Sequence, residues 1–205
     1  MKKITLLLMT SILLLASTVE AQHDIDINAA GIFYKNFGID YEYIIQDQMG
    51  VGLSFTYAQN TLGVKLDKDA KFSAIDIVPE FKFYSNPSQG GDQVYISSYL
   101  KYKNATWEDM MYKENTIETT YNLSFSGLAL GFQGGFKKVF PSNFYIELSA
   151  GVGRYIITNW NDTANPKLKL SDAKNDTKNN TYADNFMYNW DFRFALGLGW
   201  RFGGY

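Results

Sequence analysis

The sequence predicts an all-β fold, an eight-stranded antiparallel up-and-down transmembrane β-barrel, and three observations carry that expectation. Segments of about ten residues alternate between large apolar residues and small or charged ones, the period of a strand whose side chains leave the pleat on opposite sides. The connections between them alternate too, short at one end and mostly long and polar at the other. Finally, the apolar residues of one parity far outnumber the roughly dozen side chains that an eight-stranded interior holds. The greasy wall therefore faces outward, and the wall of Gly, Ala, Ser and sparse charges faces in. A soluble lipocalin-type barrel has the same strand number but hides its apolar wall, and here it would be overfilled.

Lys2 and Lys3 precede an apolar run over residues 4–16, and a more polar stretch ends in Val19-Glu20-Ala21. That is the pattern of a secretory signal peptide cut after Ala21, and the run is shorter than the roughly 20 residues of a spanning helix. The expected organisation is a signal peptide over 1–21 and one barrel domain over 22–205. The chain has no Cys, so it has neither a lipoprotein anchor nor a disulfide to use in an oxidising compartment. The balance of 19 basic and 21 acidic residues gives no electrostatic footprint for nucleic acid.

The first strand, within residues 23–34, opens with Ile25 and Ile27 against Asp24 and Asp26 and loses phase near Gly31. After a reversal at Lys35-Asn36, Phe37, Ile39, Tyr41, Tyr43 and Ile45 face away from Gly38, Asp40, Glu42 and Ile44. A turn at residues 46–48 leads to Val51, Leu53, Phe55 and Tyr57. Beyond a polar loop over 59–71, Ile75, Ile77, Phe81 and Phe83 oppose Asp76, Glu80 and Lys82. Pro79 in this strand removes a ladder donor and predicts a local irregularity. The breaker-rich turn over 86–91 precedes Val94, Ile96, Leu100 and Tyr102, opposite Tyr95, Ser97, Tyr99 and Lys101.

Residues 104–120, of mixed composition with Glu108, Asp109, Glu114 and Glu118, read as a long, partly ordered loop. Leu128, Leu130, Phe132 and Phe136 follow, then a turn over 140–143, then Phe144, Ile146, Leu148 and Val152 opposite Glu147, Ser149 and Gly151. A polar stretch over 159–185 makes the last long loop. The closing strand, residues 191–202, puts Phe192, Phe194, Leu196, Leu198, Trp200 and Phe202 on lipid, with Leu196 near mid-bilayer. Arg193, Ala195, Gly197, Gly199 and Arg201 take its other face. Tight periplasmic turns and longer outer loops are the asymmetry of outer-membrane barrels, and closure satisfies every backbone amide, as lipid requires.

Asp40-Tyr41-Glu42-Tyr43, Val78-Pro79-Glu80-Phe81-Lys82-Phe83-Tyr84, the run from Val94 to Tyr102 and Gly151-Val152-Gly153 resemble the small outer-membrane β-barrel proteins of Bacteroidota, a barrel family of unknown function. The resemblance covers about residues 25–202. It implies the barrel fold and a bacterial outer-membrane address, and no agreed activity. An aromatic residue ordinarily closes the last strand of such barrels; here Gly203-Gly204-Tyr205 follow Phe202, so Phe202 or Tyr205 would serve as the assembly signal.

Candidate chemistry is sparse. His23, the only histidine, sits at the mature N-terminus and reads as a disordered terminal residue; a metal or catalytic role would need partners converging on it. A membrane acyl-transfer or deacylation enzyme would need Ser with His, so the chain is not expected to be an enzyme, and neither metal nor cofactor is expected. Asp162-Thr163-Ala164 resembles the Bacteroidota O-glycosylation acceptor, which points to Thr163. Glu42, Glu80, Lys82, Lys101, Glu147, Arg193 and Arg201 point inward and read as an ionic network filling the lumen, in preference to a selectivity ring, because buried charges persist when paired. Glu42, Glu80 and Glu147 are expected to face Lys82 and Arg201 in the periplasmic half. The expected partners are outer-membrane lipid, the barrel-assembly machinery during biogenesis, and an extracellular partner met through three long outer loops. The other readings are a conduit or pocket for a small lipophilic molecule and a lipid-modifying enzyme.

Overall fold

Eight antiparallel strands pair in chain order, and the first pairs with the last to close the ring. They are β1 (Gln22–Asn28), β2 (Asn36–Gln46), β3 (Met49–Gln59), β4 (Lys71–Ser85), β5 (Gln93–Glu114), β6 (Ile117–Val139), β7 (Phe144–Asp162) and β8 (Trp190–Phe202). A short helix, α1 (Ala29–Phe33), lies between β1 and β2. The structure is a computed structural model that describes residues 22–33, 35–59, 71–114, 117–162 and 189–203. The signal peptide and its cut at Ala21, the loop residues 60–70, the polar stretch 163–188 with Thr163, and Tyr205 lie outside the described residues.

Parity along each strand separates two walls, as the pleat demands. Along β4, Phe72, Ala74, Val78, Glu80, Lys82 and Tyr84 are buried, while Ile75, Ile77, Phe81 and Phe83 are exposed. The same division runs around the ring: Leu53, Phe55, Ile96, Leu130, Phe132, Leu148, Phe192 and Phe194 are exposed, and Asp24, Glu42, Lys101, Lys137, Glu147 and Arg201 are buried. The wall that meets the surroundings is thus apolar and the enclosed one carries the charge, the inverse of a water-soluble domain.

The inner wall is filled by large side chains set over glycines of the adjacent strands. A Cβ on Gly135 would run into the Tyr95 ring, one on Gly199 into Tyr145, and one on Gly131 into Tyr99 and, at 2.7 Å, the Gly153 backbone. Alternating large and bare positions is how a narrow barrel accepts rings at all. Gly131→Ala is expected to cost about 1–3 kcal/mol by overpacking. Tyr99→Ala removes the ring contact but leaves the Gly153 backbone contact, so a double-mutant cycle of the two should show coupling smaller than the cost of Gly131→Ala.

Three connections lie at one end, here called the turn end: residues 47–48, 86–92 and 140–143. At the other end, the loop end, the structure departs from the expectation for residues 104–120. β5 and β6 run through that segment, paired in register to Glu114 and Ile117, with one bulge between Trp107 and Met110. Among the described residues their ladders to the neighbouring strands end earlier, β4 at Lys71 opposite Glu108 and β7 at Asp162 opposite Leu123, and β5 and β6 continue paired with each other as a two-stranded ribbon. One further correction is local. β1 ends at Asn28 and the chain turns into α1, which accounts for the lost phase near Gly31. At Pro79 the β4–β5 ladder is interrupted, skipping Val78 and Pro79, while the register on either side stays the same, Ile77 opposite Tyr102 and Glu80 opposite Tyr99.

Candidate functional site in the lumen

The lumen is built in layers from the turn end upward. At its foot, Arg201 on β8 grips Asp24 on β1 with two hydrogen bonds of 2.7 Å, from Nε to Oδ1 and from Nη2 to Oδ2. The same guanidinium donates to the backbone carbonyls of Gln89, Gly90 and Gly91. Those residues belong to the β4–β5 turn, which Asp92 holds by accepting from Ser88 N, Ser88 Oγ and Gln89 N. Gly90 and Gly91 take φ of +66° and +52° there, a left-handed backbone that glycine adopts without strain. The turn is further tied by Gly91 N donating to the Asp47 carbonyl at 2.7 Å.

Immediately above lies a network of two lysines and their carboxylates. Lys137, fully buried on β6, reaches Glu42 at 2.6 Å, Asp24 at 2.9 Å and Glu147 at 3.4 Å. Lys82 on β4 reaches Glu147 at 2.8 Å, Glu42 at 3.1 Å and Glu80 at 3.4 Å. Tyr84 donates to Glu42, Tyr95 to Glu147 and Tyr145 to Asp26. Each lysine therefore meets three carboxylates, and the tyrosine hydroxyls take up further acceptor sites, the condition under which buried charge is tolerated. The ammonium of Lys137 also sits 4.7 Å from the Tyr145 ring centroid, a cation–π contact.

The next layer up joins Lys101 to Asp191 at 2.7 Å and to Asp76 at 3.1 Å, with Tyr99 donating to Asp191 at 2.8 Å. Arg193 stacks over the Tyr99 ring at 4.7 Å, its Nη1 4.0 Å from Glu80 Oε2. Toward the loop end the lining turns apolar. Ala58, Phe72, Ala74, Ala105 and Phe125 form a buried cluster, with Trp107, Tyr155 and Trp160 packed against it.

All seven charges expected to face inward are enclosed: Glu42, Glu80, Lys82, Lys101, Glu147 and Arg201 are buried and Arg193 is half-buried. Their pairing differs from the expectation at one place. Arg201 has Asp24 as its ion-pair partner, and Lys137 supplies the second cation facing the glutamates. Asp24, Asp26, Lys137 and Asp191 were missed, although parity places each beside an assigned outward residue (Ile25, Ile27, Phe136 and Phe192). The aromatic cap was missed as well, since Phe72, Trp107, Phe125 and Trp160 lie in segments read as loop or strand margin. On the closing strand, Phe192, Phe194, Trp200 and Phe202 are exposed; Leu196 and Leu198 are half-buried, α1 packing against this strand.

His23 is a member of β1, outward-facing, hydrogen-bonded through Nδ1 to the Tyr41 hydroxyl at 2.7 Å and stacked on Phe202 at 5.7 Å. It does not lie in a disordered terminus, as expected from its position. With Tyr43, Phe140, Phe144 and Trp200 it belongs to an aromatic collar at the turn end. Among the described residues no three of His, Cys, Asp or Glu are placed to hold a metal ion.

The profile of a family described as "Protein of unknown function (DUF3575)" matches residues 4–187. The chain belongs to the DUF3575 family. No curated protein matches this DUF3575 sequence. Among solved structures it is similar to Acinetobacter baumannii CarO, at 10% identity and TM-score 0.48 over 89% of this chain and 96% of that one. It is similar also to Ail, the attachment invasion locus protein of Yersinia pestis, crystallised with the heparin analogue sucrose octasulfate (15% identity, TM-score 0.47, 90% and 100% covered). A third similarity is to a major outer membrane protein of Thermus thermophilus, at 16% identity and TM-score 0.45 over 89% and 99%.

Proposed function

We propose that this DUF3575 protein is an integral β-barrel of a bacterial outer membrane. In this reading residues 1–21 direct export, the lumen is sealed, and the work is done at the loop end by surface contact. The observation that carries it is the inversion of the two walls: an apolar surface such as Leu53, Phe55, Phe132 and Leu148 faces out, over a lumen of buried ion pairs. Lipid is the solvent in which that arrangement is stable, and β1 pairing with β8 closes the ring of strands. The collar of His23, Tyr43, Phe140, Phe144, Trp200 and Phe202 at the turn end suits a membrane–water interface. The turn that Arg201 clamps and the lysine–carboxylate layer leave the foot of the lumen without an aqueous path, which favours a platform over a pore. The β5–β6 ribbon offers a contact surface at the loop end, and the Bacteroidota resemblance supplies the cell envelope in which this reading sets it.

Membranes carrying the protein should retain it through alkaline carbonate extraction, and the detergent-purified chain should migrate differently in gels before and after boiling. Release by carbonate together with one mobility for both samples would remove the membrane reading. A second reading, a site for a small lipophile, is favoured by the apolar cluster in the upper lumen.

A further inference from the structure

An unpaired cation stands on the outward wall. Along β7 the outward positions run Phe144, Ile146, Leu148, Ala150 and Val152, and the next is Arg154, which is exposed. Among the described residues its guanidinium has no ion-pair or hydrogen-bond partner. Its ladder neighbours are Leu130 on β6 and Trp190 on β8. Leu130 is exposed, and Trp190 shares the parity of the exposed Phe192 and Phe194.

The position of Arg154 in the wall follows from the strand that carries it. Phe144 belongs to the aromatic collar at the turn end, and Arg154 lies ten residues further along β7. At a rise of about 3.3 Å per residue and a tilt of about 40°, that length climbs roughly 25 Å. The apolar band of an outer-membrane barrel is about as tall, so Arg154 reaches the boundary opposite the collar.

The wall changes character there. Leu128 pairs with Ile157 and Ala129 with Tyr155, which leaves Ile156 as the extra residue of a bulge, a feature that gathers at barrel rims. Beyond the bulge, Phe125 and Trp160 face inward, and the outward positions beside them are Ser126 opposite Asn159 and Ser124 opposite Asn161. The outer face of β6 and β7 thus turns from apolar to hydroxyl and amide just past Arg154.

We infer that Arg154 and Trp190 form a docking site for the phosphate of an anionic lipid headgroup in the leaflet at the loop end. This rests on the membrane reading above and deepens it by naming the lipid chemistry that the wall selects. A guanidinium is a planar fork of donors that matches two oxygens of one phosphate, and its stem lies along apolar surface while its head reaches the headgroups. An indole suits the same level, with an apolar ring and a polar N–H. Leu130 and Val152 below meet the first acyl carbons, and Ser126 and Asn159 above meet the headgroup oxygens. Negative charge on a pair of acyl chains is what an unpaired cation at the top of an apolar wall complements.

Barrels folded into liposomes, each first checked for heat-dependent mobility and carbonate resistance, are taken into detergent. They are titrated with phosphatidic acid, with diacylglycerol of the same chains, or with glycerol phosphate, and mass spectrometry of the intact protein counts what stays bound. Failure of the site is then read on protein already established as membrane-inserted, separately from failure of the membrane reading. Phosphatidic acid should bind about tenfold tighter than diacylglycerol, the factor that one charge-assisted contact supplies, and glycerol phosphate should not be retained. Arg154→Gln should abolish the preference. Arg154→Leu, which continues the apolar wall, should do the same and serves where Arg154→Gln does not insert. Lys71→Gln removes an equal charge from the loop end, but that ammonium already faces Asp109 at 3.8 Å, so the preference should survive it. Equal binding of phosphatidic acid and diacylglycerol would overturn the site. So would a preference that outlives the loss of Arg154 or that Lys71→Gln weakens just as far. Glycerol phosphate held as tightly as the lipid would overturn it too, as the mark of a site for any soluble anion.

Discussion

Lys137→Met lowers the unfolding free energy by about 3–5 kcal/mol, the expected cost of leaving buried carboxylates uncompensated. Asp24, Glu42 and Glu147 converge on this one ammonium within 3.4 Å, and its side chain is 0% exposed, so water cannot take its place. Lys82 remains to satisfy Glu42 and Glu147, but among the described residues Asp24 keeps Arg201 alone as an ion-pair partner. Urea unfolding of the liposome-inserted barrel, followed by the fraction retaining the unboiled mobility, measures the change. A loss under about 1 kcal/mol, the range of a surface ion pair, would show that the lysine is solvated and the lumen wet.

Phe132→Arg is expected to cost about 2–4 kcal/mol in a bilayer, the depth-dependent penalty for Arg near the midplane of a barrel's lipid face. Phe132 is 70% exposed and lies on β6 about midway between Val139 at the turn end and Phe125 at the apolar cap. On a water-facing wall the same change at so exposed a position would fall within about 0.5 kcal/mol. The two environments therefore predict different numbers for one substitution. Folding yield into vesicles against urea, compared with Phe132→Leu, decides between them.

The two walls were legible because parity is a local property of each strand: Phe81 and Lys82 declare opposite faces in the sequence alone. The pairing across the lumen was not, since Arg201 and Asp24 are separated by 177 positions and meet through the β1–β8 register, which no alternation fixes when the phase of the first strand is open. Lys137 escaped because the sixth strand was followed only to Phe136, one residue short. Residues 104–120 looked like a loop because the apolar alternation that marks the other strands fades there. Phe72, Phe125 and Trp160 reverse the rule that the inner parity is small or charged, and that reversal at the loop end is what packs the upper lumen with an apolar cluster. α1 left only a trace, the broken phase at Gly31.

Conductance across a planar bilayer decides between a lipid-embedded barrel with a sealed foot and an open one. The inserted protein, verified by its heat-dependent mobility, should give no steady single-channel current if, as proposed, the Arg201-clamped turn and the Lys82–Lys137 network occupy the path. Stable, ion-selective current whose selectivity reversed on Glu80→Lys would instead make these residues the lining of an open channel.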